Sequence, residues 1–165
     1  MDLCYASVQK GHTKKIVQTK KVNKKKLLRK TFENGKSERT SRGNFDREDI
    51  VLLEKVVENE AGGEPYEGKV AVVNVILNRM RSGKFPSTIR EVIFQKGQFS
   101  KLNRALSLTP SDETKKAVYD ALFNNKTVVP PNTYYFLNIK IAQDFTIPRT
   151  KEFVKRIGNH WFYKD

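Results

Sequence analysis

Glu58, Glu60 and Glu64 lie close together in the sequence, and a carboxyl group can act as a general acid. On a helix of about 100° per residue, Glu60 would lie roughly 50° from the centre of the apolar stripe and Glu58 roughly 110° away. We therefore expect Glu58 to face water and Glu60 to be half buried near the helix end. Burial and the negative end of a helix both raise the pKa of a carboxyl group, as an acid catalyst working near neutral pH requires. Spacing alone equally allows a partly buried Glu60 that pairs with a lysine or an arginine.

The helix that would position Glu60 has recognisable ends. Asp46 can cap its N-terminus, and the acidic residues that follow are favourably placed for the helix dipole. The apolar stripe at helical spacing consists of Ile50, Leu53, Val57 and Ala61. Gly62, Gly63 and Pro65 end the helix, because glycine loosens it and proline restricts the residue before it. The two glycines would also leave room for a bulky ligand beside Glu60.

The rest of the pattern predicts a mainly helical α+β fold with minor β structure. A second helix over about 67–81 has little polar face, so we expect it to be the buried central helix. Its Asn74 and Asn78 would satisfy buried loop backbone. Further predicted elements are a short helix over 87–94, a loop over 96–100, a helix capped and begun by Thr109-Pro110-Ser111-Asp112 that stops at Asn124-Asn125, and strands over 133–137 and 160–163.

The composition excludes several other kinds of site. The chain has 165 residues and no apolar run near the roughly 20 residues that a membrane-spanning helix needs. Cys4 is the single cysteine, and His12 and His160 are the two histidines, which excludes an intramolecular disulfide framework, a Cys-rich zinc site and a His-rich metal centre. We therefore expect no metal and no other cofactor. We expect His160 to be a packed residue and not a base.

Most of the positive charge lies in the first quarter of the chain. Residues 1–44 hold 13 Lys and Arg against 3 Asp and Glu, whereas residues 45–165 hold 19 against 15. The few apolar residues of 1–44 cannot offset the entropy of ordering it, so we predict a basic, disordered or loosely helical tail followed by a folded domain over 45–165. The alternative is that this tail attaches the protein electrostatically to anionic wall polymers or to an anionic membrane surface. A specific nucleic-acid partner is not expected, and the protein should be a monomer.

Several motifs in order resemble the cell wall hydrolase family of SleB and CwlJ, the spore-cortex-lytic enzymes and their relatives in bacteria and phages. The resemblance covers about residues 46–163 and leaves the basic tail outside. The motifs are EAGGEPYEG at 60–68, VAVV at 70–73, ILNR at 76–79, SGKFP at 82–86, FQKGQFS at 94–100, YYF at 134–136 with Asn138, and IGNH at 157–160 with Phe162.

The resemblance implies a catalytic role for Glu60, which opens the EAGGEP motif, and a small lysozyme-like or lytic-transglycosylase-like domain. Glu64 belongs to the same motif, where a structural role in the turn is at least as well supported. The family pattern also gives five candidate substrate-binding residues: Gln98, Ser100, Tyr135, Asn138 and Thr150. For Gln98 and Ser100 the alternative is ordinary hydrogen bonding within the loop.

The expected reaction is cleavage of the muramic acid–glucosamine backbone of peptidoglycan. Glycoside hydrolysis normally uses two carboxylates, whereas a lytic transglycosylase needs one acid, so the single well-placed Glu60 favours transglycosylation. A lysozyme-like muramidase is the close alternative, and a non-enzymatic binder of cell wall or polyanions is the alternative of another class. The protein would act at the cell wall or spore cortex. No signal peptide is visible, so mother-cell deposition or phage-mediated release are the routes to consider.

Overall fold

The computed structural model of the protein describes residues 38–40, 43–99 and 101–165. They belong to one compact unit, Glu38–Asp165. Its helices are α1 (Arg47–Ala61), α2 (Tyr66–Arg81), α3 (Ile89–Phe94), α4 (Leu102–Ser107), α5 (Asp112–Phe123) and α6 (Thr146–Thr150). Its strands are β1 (Glu38–Thr40), β2 (Gly43–Phe45), β3 (Thr133–Asn138), β4 (Glu152–Ile157) and β5 (His160–Lys164). The predicted mainly helical α+β class is confirmed.

Helix α1 begins where the sequence predicts. The Asp46 carboxylate accepts a hydrogen bond of 2.8 Å from the backbone N–H of Asp49, and Glu48 and Asp49 occupy the first turn. The predicted apolar stripe is buried throughout. After Ala61 the chain turns through 62–65 into α2, so the last turn of α1 lies beside the start of the next helix.

Helix α2 is the buried central helix that the sequence predicts. Its residues from 68 to 79 are all buried, and it packs against α1, α5 and β3. The Asn74 side chain bonds in both directions with the backbone of 126–128, at 3.0 and 2.9 Å. The Asn78 side chain donates to two carbonyls of the segment that leads into β3. Both asparagines therefore satisfy loop backbone, as predicted.

An antiparallel three-stranded sheet packs against α2. Its strand order is β3–β5–β4, so β5 is the central strand. Phe162 of β5 is fully buried and packs with Ala71 and Val75 of α2. The register shifts once in each outer strand, between Thr133 and Tyr135 and between Phe153 and Lys155. The sheet is thus fixed to the helix that follows the turn after Glu60.

The predicted start of helix α5 was wrong by two residues. The cap is Ser111, whose hydroxyl accepts from the N–H of Thr114 at 3.3 Å, and the helix begins at Asp112. Thr109 and Pro110 lie outside it. The reason is a contact that local sequence does not show: the Glu58 carboxylate binds both the N–H and the hydroxyl of Ser111 and holds this residue in extended backbone. The predicted end at Asn124 is confirmed.

Several elements were not predicted because their local signals are weak. Helix α4 has no side-chain cap and starts after Lys101 in the left-handed region, at φ 63°. Helix α6 is five residues long and contains Pro148. Strand β4 has no buried position, so the alternation that marks a half-buried strand is missing.

The predicted basic tail lies outside the described residues, apart from β1 and the first residues of β2. These two strands pair in an antiparallel hairpin. The boundary between tail and domain therefore stays a prediction. None of the described helices is long and apolar enough to cross a membrane.

Candidate active site

Glu60 is a partly buried carboxyl group in the last turn of α1. Its Oε1 accepts a hydrogen bond of 2.9 Å from the side-chain amide of Asn59. Burial raises the pKa of Glu60, while the Asn59 bond and the positive charge of Lys101 offset only part of that rise. The described residues form no ion pair with it. The half-buried carboxyl predicted from helical spacing is confirmed, and the alternative of a paired glutamate is not what the structure shows.

The turn that follows Glu60 is open to solvent. Gly63 is exposed, and a Cβ added there would meet nothing within 4 Å. Gly62 is different, since a Cβ added there would lie 2.5 Å from the carbonyl oxygen of Glu58, so of the two glycines only Gly63 leaves the predicted room for a ligand.

Glu58, two residues before Glu60, has a different environment. It is only partly exposed, and its Oε2 accepts hydrogen bonds from the backbone N–H and the hydroxyl of Ser111, at 3.0 and 2.9 Å. Burial alone raises the pKa of Glu58, but hydrogen bonds from Thr114 and Ser111 outweigh it, so the pKa is lowered overall. Glu58 lies near the surface, as expected, but its carboxylate also completes the N-terminal cap of α5. An ionised carboxylate of this kind is a poor general acid.

Glu64 joins the turn to the sheet. Its carboxylate is buried and accepts from the backbone N–H of Asn159 at 2.8 Å and from the Asn159 side chain at 3.2 Å. Gly158 has φ +58°, and a Cβ added there would lie 2.0 Å from Glu64 Oε2. Only glycine fits this approach between the β4–β5 turn and the turn after Glu60. The structural role predicted for Glu64 is confirmed.

A loop after α3 carries Gln98 and Phe99. Gly97 adopts φ +79°, and the N–H of Gln98 donates to the carbonyl of Gln95 at 3.2 Å, which closes the loop on itself. Gln98 is partly buried, and Phe99 packs with its ring centroid 6.5 Å from that of Phe136 on β3. Ser100 lies outside the described residues.

The other candidate substrate-binding residues lie on and after β3. Tyr135 is partly buried and its hydroxyl donates to Asp165 at 3.1 Å. Asn138 ends the strand and its side chain accepts from the N–H of Lys140 at 3.1 Å. The exposed Thr150 uses its hydroxyl to close α6, by donating to the carbonyl of Thr146 at 2.7 Å. The side chains of Asn138 and Thr150 thus make local hydrogen bonds, to the turn after β3 and within α6 respectively.

His160 is packed, as predicted. It is buried on β5, and its ring lies against Phe136 and Phe162, with centroids 5.2 and 6.3 Å away. Burial lowers the pKa of His160, and the charge of Glu64 opposes that shift.

Comparison with known proteins shows the family of this chain. The family model described as Cell Wall Hydrolase matches residues 63–163. The chain belongs to the cell wall hydrolase family. The resemblance read from the motifs is therefore confirmed.

Curated relatives of this cell wall hydrolase domain are spore cortex-lytic enzymes. That of Oceanobacillus iheyensis is 40% identical over 121 residues, which cover 73% of this chain and 43% of the relative. That of Bacillus subtilis is 37% identical over 121 residues, which cover 73% of this chain and 39% of the relative. The chain thus spans less than half the length of these relatives.

Solved structures confirm the predicted lysozyme-like, transglycosylase-like fold. The catalytic domain of the germination-specific lytic transglycosylase SleB from Bacillus anthracis is 37% identical, with a TM-score of 0.66 over 73% of this chain and 97% of that domain. The catalytic domain of the Bacillus cereus SleB protein is 38% identical, with a TM-score of 0.65 over 73% of this chain and 92% of that one.

Sequence reasoning missed Arg79, a buried cation of this cell wall hydrolase domain. Its Nε donates to the carbonyl of Tyr134 at 2.7 Å, and its guanidinium lies 5.2, 5.8 and 5.9 Å from the ring centroids of Phe85, Phe99 and Tyr135. Burial lowers the pKa of Arg79 to about 10, so it stays charged at neutral pH. Arg79 thereby links the loop of Gln98 to the strand of Tyr135. Its place in the ILNR motif was the only signal in the sequence.

Proposed function

We propose that this domain cleaves the glycan backbone of peptidoglycan as a lytic transglycosylase, with Glu60 as its general acid and then its base. The observation that carries the proposal is the Glu60 carboxyl group, whose pKa burial raises and which lies beside an open turn. A raised pKa keeps the carboxyl protonated at a higher pH than an exposed glutamate. Membership in the cell wall hydrolase family and the lytic transglycosylase named among the solved relatives support the substrate class.

The reaction would take two proton transfers through one residue. Protonated Glu60 donates to the glycosidic oxygen while the bond from that oxygen to muramic acid C1 breaks, and the glucosamine leaves with a free hydroxyl. The muramic acid C6 hydroxyl then attacks C1 and gives its proton to the Glu60 carboxylate. The products are a 1,6-anhydromuramic end and a new glucosamine end, and Glu60 is protonated again.

The neighbouring carboxylates favour this one-acid scheme. Hydrolysis normally uses a second carboxyl group, about 5–5.5 Å from the first in retaining enzymes and about 6.5–9.5 Å in inverting ones. Glu58 is bonded to the N-terminus of α5, and Glu64 is bonded to Asn159. Both are therefore held in structural roles, and neither is available as the second catalytic group.

Substrate binding would involve the loop of Gln98 and strand β3. Arg79 packs between Phe99 and Tyr135, which supports a common binding surface for Gln98 and Tyr135. An aromatic ring such as Tyr135 can stack on a sugar. Ser100, Asn138 and Thr150 stay predictions from the family pattern. The protein would act at the cell wall or the spore cortex, and residues 1–44 would add electrostatic attachment to anionic wall polymers.

The test is a pair of glutamine substitutions on α1. Glu60→Gln should lower turnover of purified peptidoglycan by about 10²–10⁴, because a positioned acid contributes that much to the rate. Glu58→Gln, the matched control, should keep turnover near that of the wild type when both are assayed well below their melting temperatures. Turnover by Glu60→Gln near the wild-type rate would refute the assignment. Wall binding without cleavage by the wild type would support the non-enzymatic alternative.

A further inference from the structure

The Asp165 side chain is held by three donors from separate segments. Lys84, in the loop after α2, donates to Oδ2 at 2.7 Å, and Lys151, just after α6, donates to Oδ1 at 2.7 Å. The Tyr135 hydroxyl of β3 donates to the same Oδ1 at 3.1 Å. The hydrogen bonds from Lys151 and Lys84 hold the pKa of the Asp165 carboxyl well below its usual range. This cluster is therefore built to bind a carboxylate.

Positive charge exceeds negative charge around this cluster. The ammonium groups of Lys84 and Lys151 lie over the rings of Tyr134 and Tyr135, 5.5 and 5.0 Å from their centroids. The Arg79 guanidinium lies over the Tyr135 ring, and no described carboxylate forms an ion pair with Arg79. Among the described residues, its buried Nη1 has no hydrogen-bond partner. Lys84 and Lys151 thus share the side-chain carboxylate of Asp165, while Arg79 lies over the neighbouring Tyr135 ring with no ion pair to a described carboxylate. The remaining positive charge favours an anionic ligand.

The cluster lies on strand β3, a few residues from the strand end that is nearer to the proposed acid. That end is Asn138, which pairs with His160. The adjacent Asn159 donates to Glu64, in the turn after Glu60. Tyr135 lies three residues before Asn138, or about 10 Å at the rise of a strand. A stem peptide of a substrate bound at the Asn138 end of β3 can extend over that distance to the cluster.

We propose that Lys84, Lys151 and the Tyr135 hydroxyl bind a carboxylate of the peptidoglycan stem peptide, and that the Asp165 side chain occupies this site until substrate displaces it. The proposal rests on the proposed function. Exchanging one carboxylate for another conserves every hydrogen bond of the site, so neither lysine is left unpaired. Exposed ion pairs contribute little to stability, and the Lys84 and Lys151 side chains are 58% and 30% exposed, so a ligand can reach them.

The test measures binding of soluble peptidoglycan fragments to the full chain by calorimetry. All variants carry Glu60→Gln, so that fragments are not consumed, and cleavage is assayed separately with the wild-type acid. The fragments have equal glycan length and come in three forms: with native stem peptides, with the stem carboxylates converted to amides, and with the stems removed so that only the lactyl carboxylate remains.

The native-stem fragment should bind about tenfold more tightly than the amidated one, which corresponds to about 1.4 kcal/mol. Lys84→Met combined with Lys151→Met should remove that difference. Asp165→Asn should tighten binding of the native-stem fragment severalfold and leave the amidated one unchanged, because the internal competitor is gone. Lys115→Met, an exposed lysine of α5, is the matched control and should change neither constant.

Equal binding of native and amidated fragments would overturn the proposal. An Asp165→Asn variant that changes the melting temperature but not binding would also overturn it, and would mean that these contacts only stabilise the fold. Binding of the stem-free fragment as tight as that of the native one would also overturn it, since the lactyl carboxylate would then suffice. The proposed function fails on a different result, namely the absence of cleavage by the chain with Glu60 intact.

Discussion

The helical region and the sheet of this domain differ in how they expose their side chains. Helix α2 buries every residue from 68 to 79, and the stripe of α1 is equally buried. Strand β4 has no fully buried residue, and Phe153 is 49% exposed on it. The packed helices hold the Glu60 carboxyl group in a partly desolvated place, whereas the sheet presents rings and cations to solvent. In the proposed function, the helices therefore supply the acid and the sheet supplies contacts to the ligand.

The largest expected effect on folding is in the helical core. Leu77→Ala on α2 should lower the free energy of unfolding by about 2–5 kcal/mol, because it opens a cavity at a fully buried position. Phe153→Ala on β4 should cost about 1 kcal/mol, since that ring is half exposed and packs on Trp161 and Tyr163 within the sheet. Urea unfolding of both variants checks the difference. Equal losses would mean that the sheet is as tightly packed as the helices.

The contact between the two regions should be the next most sensitive place. Gly158→Ala should cost about 1–3 kcal/mol, because it combines a positive φ with a Cβ against the Glu64 carboxylate. Gly83→Ala, with φ +70° and free space, isolates the backbone strain, and Gly63→Ala has neither penalty. Denaturant midpoints should fall in the order Gly158, Gly83, Gly63. A Gly158 variant no worse than the Gly83 one would remove the steric argument.

The two glutamates of α1 should affect stability in opposite directions at neutral pH. Because the folded pKa of Glu60 is raised, its contribution to stability is present below about pH 4.5 and is lost as pH rises through the folded pKa. Glu60→Gln should therefore raise the melting temperature at neutral pH and change it little at acidic pH. The folded pKa of Glu58 is lowered, so its contribution is present at neutral pH and lost on acidification. Glu58→Gln should lower the melting temperature at neutral pH. Shifts of the same sign for the two variants would contradict the direction of the pKa shift of at least one of these glutamates.

The smallest effect on chemistry should come from the basic N-terminal segment. Removing residues 1–37 retains strand β1 and should leave turnover of soluble glycans nearly unchanged. Sedimentation with intact walls should weaken at low salt only, because the Debye length falls from about 10 Å at 0.1 M to about 3 Å at 1 M. A melting temperature lowered by several degrees would place part of this segment in the folded core.

The sequence predicted the elements whose signals are local. Helix α1 has a side-chain cap and a regular stripe, and α2 is apolar on nearly all sides, so both were predicted with nearly correct ends. Strand β4 was missed because its residues are exposed and do not alternate. Within the site, the burial of Glu60 follows from helical spacing. The bond from Ser111 to Glu58 and the cluster around Asp165 join residues far apart in the chain, which no local pattern encodes.

We propose that a single carboxyl group, Glu60, assists cleavage of the glycosidic bond, and that the muramic acid C6 hydroxyl of the same substrate attacks C1 in place of water. The most direct measurement is mass spectrometry of the products that the wild type forms from purified peptidoglycan in water enriched in heavy oxygen. We expect new muramic acid ends that are lighter by one water than reducing ends and that carry no heavy oxygen, with no such ends from Glu60→Gln. Reducing muramic acid ends labelled with heavy oxygen would show that water attacks C1, and would replace the transglycosylase with a muramidase.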